Sequence, residues 1–187
     1  AVYDLGLAVD GEATTGAIRI AVADAFDAPG NTPPVDPIRY PEELGLPVLF
    51  LSPRPSTEIY EPVTVIYRGH AYAAQAKLRG ASSLGYPKNS FTVKFAAGDH
   101  FSDPEHAGGF LDKKRIVLTS TFDDNAYVRQ RLAYELWNRM DPDHVPVQAY
   151  SAAVYADGEF YGLYTIVDHV DDNHFAAHGL AETGNVY

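Results

Sequence analysis

Period-two alternation, broken at short intervals by glycine and proline, is the strongest constraint on what this chain can fold into. Phe91, Val93 and Phe95 alternate with Ser90, Thr92 and Lys94, so a strand there buries one side and leaves the other polar. Leu46–Leu51 is a short apolar run suited to a buried strand. Pro62–Tyr67 and Tyr72–Arg79 flank Arg68-Gly69-His70-Ala71 and read as a hairpin. Val147–Tyr155 and Phe160–Asp168 read as a second one around Asp157-Gly158, a strong turn signal. Arg115–Thr121 is a further β-rich run. Residues 98–112 hold Gly98, Pro104, Gly108 and Gly109 and read as a long surface loop.

One stretch has a helical period. Val128, Leu132, Leu136 and Met140 recur every four residues, and Ala133 and Trp137 widen the stripe. Asp123 is placed to cap this helix, Asp124 suits its positive end, and Pro142 stops it. Asp171–His178 reads as two helical turns ended by Gly179, and Asn185–Tyr187 as the start of a strand. The expected class is α+β: antiparallel sheets and hairpins in two groups, separated by one long helix. Residues 1–45 are acidic and carry Pro29, Pro33, Pro34, Pro37 and Pro41. They read as an irregular leader or wrap, with a short strand at Ile18–Val22, ahead of a domain over 46–187.

Composition narrows the partners. Lys plus Arg is 14 against 25 Asp plus Glu, a formal net charge of -11. Neither duplex nucleic acid nor an anionic membrane surface is an expected partner, because both demand a dense basic face. No run approaches the ~18 apolar residues of a spanning helix. The absence of cysteine excludes disulfides, thiolate zinc sites, iron–sulfur clusters and a cysteine nucleophile. The first residue is Ala1 and no signal-type apolar segment is present. The expectation is an exported protein that has lost a presequence, or a piece excised from a longer chain.

Arg79-Gly80-Ala81-Ser82-Ser83-Leu84-Gly85-Tyr86-Pro87-Lys88 concentrates two cations, two hydroxyls and two glycines between strands. Such a bend can aim N–H groups and hydroxyls at phosphate oxygens, with Arg79 and Lys88 as countercharge; it can equally be a polar turn. It is not a P-loop, because its lysine does not directly follow the second glycine and a strand follows it. Lys94 sits mid-strand, where a lysine can hold a nucleotide phosphate if a carboxylate positions it, or simply lie along a solvated face. Glu135, beside the helical stripe, is the carboxylate that would pair with it. His174 and His178 share a helical face but lack a third ligand, and read as solvent-facing. Asp123-Asp124-Asn125 reads as a cap. Asp168-His169-Val170-Asp171-Asp172 is an acidic patch able to approach magnesium or to stay solvated. No G-x-S-x-G elbow is present.

Taken in series, these stretches resemble the CotH family of atypical kinases, named for a spore-coat protein. The resemblance is carried by Arg79-Gly80-Ala81-Ser82-Ser83, by Lys88–Phe95, by Val117–Asp124 and Arg129–Leu136, by Val154–Tyr164, and by Gly184-Asn185-Val186-Tyr187. Family members typically carry Asn where Ala81 stands and Glu close to Asp168. The resemblance implies a kinase-like fold, ATP and Mg2+ as cofactors, and phosphorylation of Ser or Thr on a protein substrate. Arg79, Ser82, Ser83, Lys88 and Lys94 would face nucleotide phosphates, and Glu135 and Asp168 would orient a lysine or the metal. The family's catalytic aspartates lie in Asp-Trp-x-x-Asn-like and Asp-x-Asp-Phe-Gly-like segments, and neither pattern occurs in these 187 residues. The chain is therefore expected to be an amino-terminal portion that does not transfer phosphate by itself. The alternative is a non-catalytic surface or structural module that reuses the fold for protein or glycan contact.

Overall fold

The computed structural model describes residues 2–9, 12–21, 36–106 and 109–181. The chain divides into two compact units, Ala1–Pro34 and Val35–Tyr187. In the first, β1 (Val2–Val9) and β2 (Glu12–Ala21) form an antiparallel hairpin with an irregularity between Gly6 and Ala8. That hairpin stands where the sequence suggests an irregular wrap with one short strand. The proline-dense stretch 22–35 and the strand expected at Asn185–Tyr187 lie outside the described residues.

The second unit is a closed barrel. Its strands are β4 (Leu46–Ser52), β5 (Glu61–Tyr67), β6 (His70–Arg79), β7 (Ser90–Phe95), β10 (Arg115–Thr119), β11 (Ala149–Ala156) and β12 (Glu159–Asp168). They run around the barrel in the order β4-β5-β6-β7-β10-β12-β11, and β11 then pairs with β4 to close it. Six of the pairings are antiparallel and β11–β4 is parallel. The parallel pair is a topological necessity, because an odd number of strands alternating in direction must bring two like-directed strands together at closure. A small β3 (Glu42–Glu43) pairs with the start of β4.

Alternation fills the interior as expected of a small barrel. Leu49, Leu51, Val63, Val65, Phe91, Val93, Phe95, Ile116, Leu118 and Ile166 are all buried in one core. The Asp157-Gly158 turn has φ of 53° and 85°, the two positive values that a tight right-twisted hairpin requires. The stretch expected as a long loop instead contains β8 (Phe101–Asp103) paired with β9 (Phe110–Lys113). Phe101 and Phe110 are completely buried. Burying two phenylalanines outweighs the local turn chemistry of Gly98, Pro104 and Gly109.

The α+β expectation holds only in its coarse part, because the chain is mostly strand with few helices. α1 (Arg129–Met140) connects β10 to β11, which are parallel and lie on either side of β12, so it serves as a crossover. Asp124, not Asp123, secures its start, accepting from the N–H groups of Ala126 at 3.0 Å and Arg129 at 2.9 Å. Its orientation corrects the sequence reading. Val128, Leu132, Leu136 and Met140 point outward, and no residue of the helix is buried. Polar side chains hold it in place: Arg131 donates to Ser151 Oγ at 2.6 Å, and Asn138 both donates to Val147 O and accepts from Val147 N at 2.9 Å. α2 (Asp172–Ala177) follows β12, capped by the Asp171 carboxylate. No helix among the described residues is long and apolar enough to cross a membrane.

Candidate functional site

Two adjoining hollows lie at the barrel end where β12 stops and β10 begins. Asp168 closes β12 in register with Ile116. Its backbone and carboxylate both hold Gln148: the Asp168 N–H donates to Gln148 O at 3.0 Å, and Oδ2 accepts from the Gln148 N–H at 2.8 Å. The other oxygen, Oδ1, lies 2.7 Å from Lys113 Nζ on β9. That contact is an ion pair without hydrogen-bond alignment, so an ammonium proton stays free to point elsewhere. The Asp168 side chain is 1% exposed and that of Lys113 19%.

One strand away, Arg115 donates to Asp171 Oδ2 at 2.6 Å, while the His174 N–H donates to Oδ1 at 3.1 Å. Burial opposes ionisation of Asp171, but the His174 N–H, the Arg115 guanidinium and His169 outweigh it and hold the carboxyl below its usual range. Burial pushes the imidazoles of His169 and His174 down, towards the neutral form. His174 is 7% exposed and its Nε2 has no hydrogen-bond partner, which corrects the reading of a solvent-facing histidine. Lys113, Arg115, Asp168, His169, Asn173 and His174 line a cavity of about 260 Å³. Thr64, Gln75 and Lys94 line a second, shallower hollow of about 610 Å³ on the outer barrel face, and the two share His100 and Lys114.

The residues singled out in the sequence fall into two groups. Lys94 lies in the larger hollow, registered between Gln75 and Arg115, and Asp168 in the smaller. Glu135 does not meet Lys94. It pairs with Arg139 at 2.5 Å on α1, which packs on β11, three strands and roughly 14 Å around the barrel from β7. Ser82, Ser83 and Lys88 gather at the other barrel end. There the glycine–serine bend is a 3₁₀ turn over Ser82–Gly85 whose groups largely satisfy one another. Leu84 N–H donates to Ala81 O, Tyr86 N–H to Ser83 O, and the Asn89 amide donates to the carbonyls of Ser83, Leu84 and Tyr86.

Lys88 turns into the barrel mouth, donating to Leu163 O at 2.5 Å and Ser120 O at 3.2 Å above the Tyr164 ring. Burial lowers its ammonium to about 8. It passes so close to Gly162 that a Cβ there would sit 2.9 Å from Nζ. Arg79 ends β6 opposite Ser90 and is exposed, yet its positive charge contributes to the depression of His169. The bend and the strand lysine therefore do not share one hollow.

The described residues offer no all-protein cage for magnesium. No three His, Asp or Glu side chains converge there, and the oxygens of Asp168 face Lys113 and the Gln148 N–H. Reasoning from sequence missed Lys113, Arg115 and the burial of His174. The one available signal was the cation run Lys113-Lys114-Arg115 entering a β-rich segment. The run spans the break between β9, which ends at Lys113, and β10, which starts at Arg115, and all three of its members line the smaller cavity.

No curated protein matches the chain. A family model described as CotH kinase protein matches residues 76–187, from the middle of β6 onward. The matched stretch contains both members of the Lys113–Asp168 pair, the Arg115–Asp171 pair and the glycine–serine bend, and omits β4 and β5, with which the barrel closes. By that match over more than half its length, the chain belongs to the CotH kinase family.

Proposed function

We propose that this chain holds the phosphates of a nucleoside triphosphate, ATP by family affiliation, at the Lys113–Asp168 pair. The observation that carries the reading is a lysine paired with a buried carboxylate at the rim of a cavity. That is the arrangement by which kinases place an ammonium against phosphate oxygens. Asp168 positions the ammonium, and the imperfect alignment of the pair leaves donor capacity for a ligand oxygen. Lys114 adds charge from the shared wall, and the neutral His174 offers an unpartnered Nε2. The cavity accommodates a phosphate group, and the adjoining hollow has room for the remainder of a nucleotide. When bound, the nucleotide supplies the transferable phosphoryl group, and the proposed acceptor is a protein Ser or Thr hydroxyl.

The residues of this chain do binding and orientation only. No aspartate here stands in an Asp-Trp-x-x-Asn or Asp-x-Asp-Phe-Gly context, so the chain by itself is proposed to bind nucleotide without transferring phosphate. Magnesium is assigned to no residue of this chain.

Titration with a fluorescent ATP analogue tests the reading. Lys114→Ala removes an exposed side chain with no ion pair among the described residues and is expected to weaken binding about tenfold, a cost of ~1.4 kcal/mol. Lys88→Ala, at the far mouth, is expected to leave the affinity unchanged. Equal affinity of wild type and Lys114→Ala, or no binding at all, would refute the site and favour the non-catalytic module.

A further inference from the structure

The lining of the smaller cavity has hydrogen-bonding capacity that the fold does not use. Asp168 Oδ1, Arg115 Nε and His174 Nε2 are buried atoms without a hydrogen-bond partner among the described residues, and all three residues line that cavity. They differ in kind. The Arg115 Nε–H can only donate and a carboxylate oxygen can only accept, whereas a neutral imidazole nitrogen does either according to its tautomer. Lys113 Nζ lies 2.7 Å from Asp168 Oδ1 without aligning a proton on it, so the oxygen keeps its lone pairs and the ammonium its protons. Charge alone does not decide what fits there. Lys113, Lys114 and Arg115 stand against Asp112, Asp168 and Asp171, three cations and three carboxylates on one lining. Asp171 has both oxygens occupied, by Arg115 and the His174 N–H, and Asp112 is exposed beside His100. Asp168 Oδ1 is the buried acceptor that a ligand has to answer.

We propose that this cavity takes a phosphate group that carries a proton, and that Asp168 Oδ1 accepts the hydrogen bond from that P–OH. The proposal rests on the reading of the cavity as a phosphate site and adds which oxyanions it admits. Lys113 and the Arg115 Nε–H donate to unprotonated oxygens of the group. Inorganic hydrogen phosphate has the required proton. So has the terminal group of a nucleotide, whose last proton leaves at a pKa of about 6 in water and later beside a carboxylate. Sulfate has the same tetrahedral shape but no proton to offer, and it sets a bare anionic oxygen against a buried carboxylate. A site built around one hydrogen bond rejects the analogue that cannot form it far more strongly than it rejects a small change in size. The Gln148 N–H, which donates to Asp168 Oδ2 at 2.8 Å, fixes how an amide would sit in the same place. In Asp168→Asn that N–H calls for the amide oxygen, so the NH2 turns into the cavity and an acceptor becomes a donor.

The test titrates the intact chain with potassium phosphate and potassium sulfate at matched ionic strength, by calorimetry and by displacement of the fluorescent ATP analogue. Slightly alkaline pH makes hydrogen phosphate and sulfate dianions of nearly equal size and keeps His169 and His174 neutral. Phosphate is expected to bind at least about tenfold more tightly than sulfate, a difference of ~1.4 kcal/mol. Asp168→Asn, with circular dichroism matching wild type, is expected to bring sulfate level with phosphate or ahead of it. Lys114→Ala is expected to weaken both anions and leave their ratio unchanged. Tighter binding of the analogue than of phosphate makes a nucleotide the source of the group. Selective binding of phosphate without the analogue bears out the proposal with free phosphate as the source, and overturns the nucleotide reading. Equal affinity of wild type for the two anions, or binding of neither, overturns the proposal, as does a phosphate preference that survives Asp168→Asn. The nucleotide reading outlives those results if the analogue still binds, and falls with the proposal if it does not.

Discussion

Separating the Lys113–Asp168 pair is the most informative perturbation of this fold. Lys113→Met keeps most of the side-chain volume but leaves the Asp168 carboxylate, with a 1% exposed side chain, facing a thioether. Removing one partner of a buried ion pair costs about 3–5 kcal/mol, because the remaining charge is left uncompensated. Here Oδ2 still accepts from the Gln148 N–H, so the lower end, about 3 kcal/mol, is expected. Asp168→Asn strands the opposite charge. The Lys113 side chain is 19% exposed on a flexible stem and can swing towards water, so about 1–2 kcal/mol is expected. The double variant leaves no unpaired charge and is expected to be more stable than Lys113→Met alone, a coupling of at least about 1 kcal/mol. Urea unfolding followed by far-ultraviolet circular dichroism measures all three against wild type. Strictly additive losses, or a Lys113→Met cost below about 0.5 kcal/mol, would show that the two side chains are solvated independently.

Two further outcomes follow from the same geometry. Asn138→Ala removes both hydrogen bonds to Val147 and is expected to cost about 2 kcal/mol, whereas Leu136→Ala on the same helix costs less than about 0.5; the reverse order in urea midpoints would mean that the stripe faces the core. Lys88 has a folded value of about 8 against 10.5 for the free side chain, so the unfolded chain binds more protons between those values. Its burial penalty on the native state is full below pH 8 and fades as pH rises through that window. Stability relative to a Lys88→Met variant is therefore expected to rise from pH 8 to pH 10, and a flat difference between the two urea midpoints would contradict a buried ammonium.

The strands were legible because each carried its own evidence. Phe91, Val93 and Phe95 all enter the core, and Asp157-Gly158 turns as a two-residue hairpin. What those signals do not encode is closure: nothing in Leu46–Ser52 or Ala149–Ala156 announces that these strands, whose partners lie 105 positions apart, pair in parallel. Closure also explains the misread helix. A period-four apolar stripe shows where a helix can bury a face, not whether a face is available to receive it. With the apolar residues of seven strands already packed into the barrel, α1 is held to β11 through Arg131 and Asn138, and the stripe is left outside.

The same logic separates the site that was read from the site that formed. Glycine, serine and lysine within ten residues satisfy the chemistry of an anion cradle, but they equally satisfy the needs of a barrel mouth, where unpaired carbonyls must find donors. Lys88 and Asn89 between them donate to five carbonyls there, those of Ser83, Leu84, Tyr86, Ser120 and Leu163, the first of which also accepts from the Tyr86 N–H. A donor engaged in that way is a poor candidate for a ligand, since binding would first have to uncap the barrel. Lys113 is in the opposite position: its partner is an anion it touches without hydrogen-bond alignment, at the edge of open space. Burial pins the carboxylate, while a partly exposed stem leaves the ammonium adjustable, and that asymmetry distinguishes a lysine able to exchange partners from one that seals a fold.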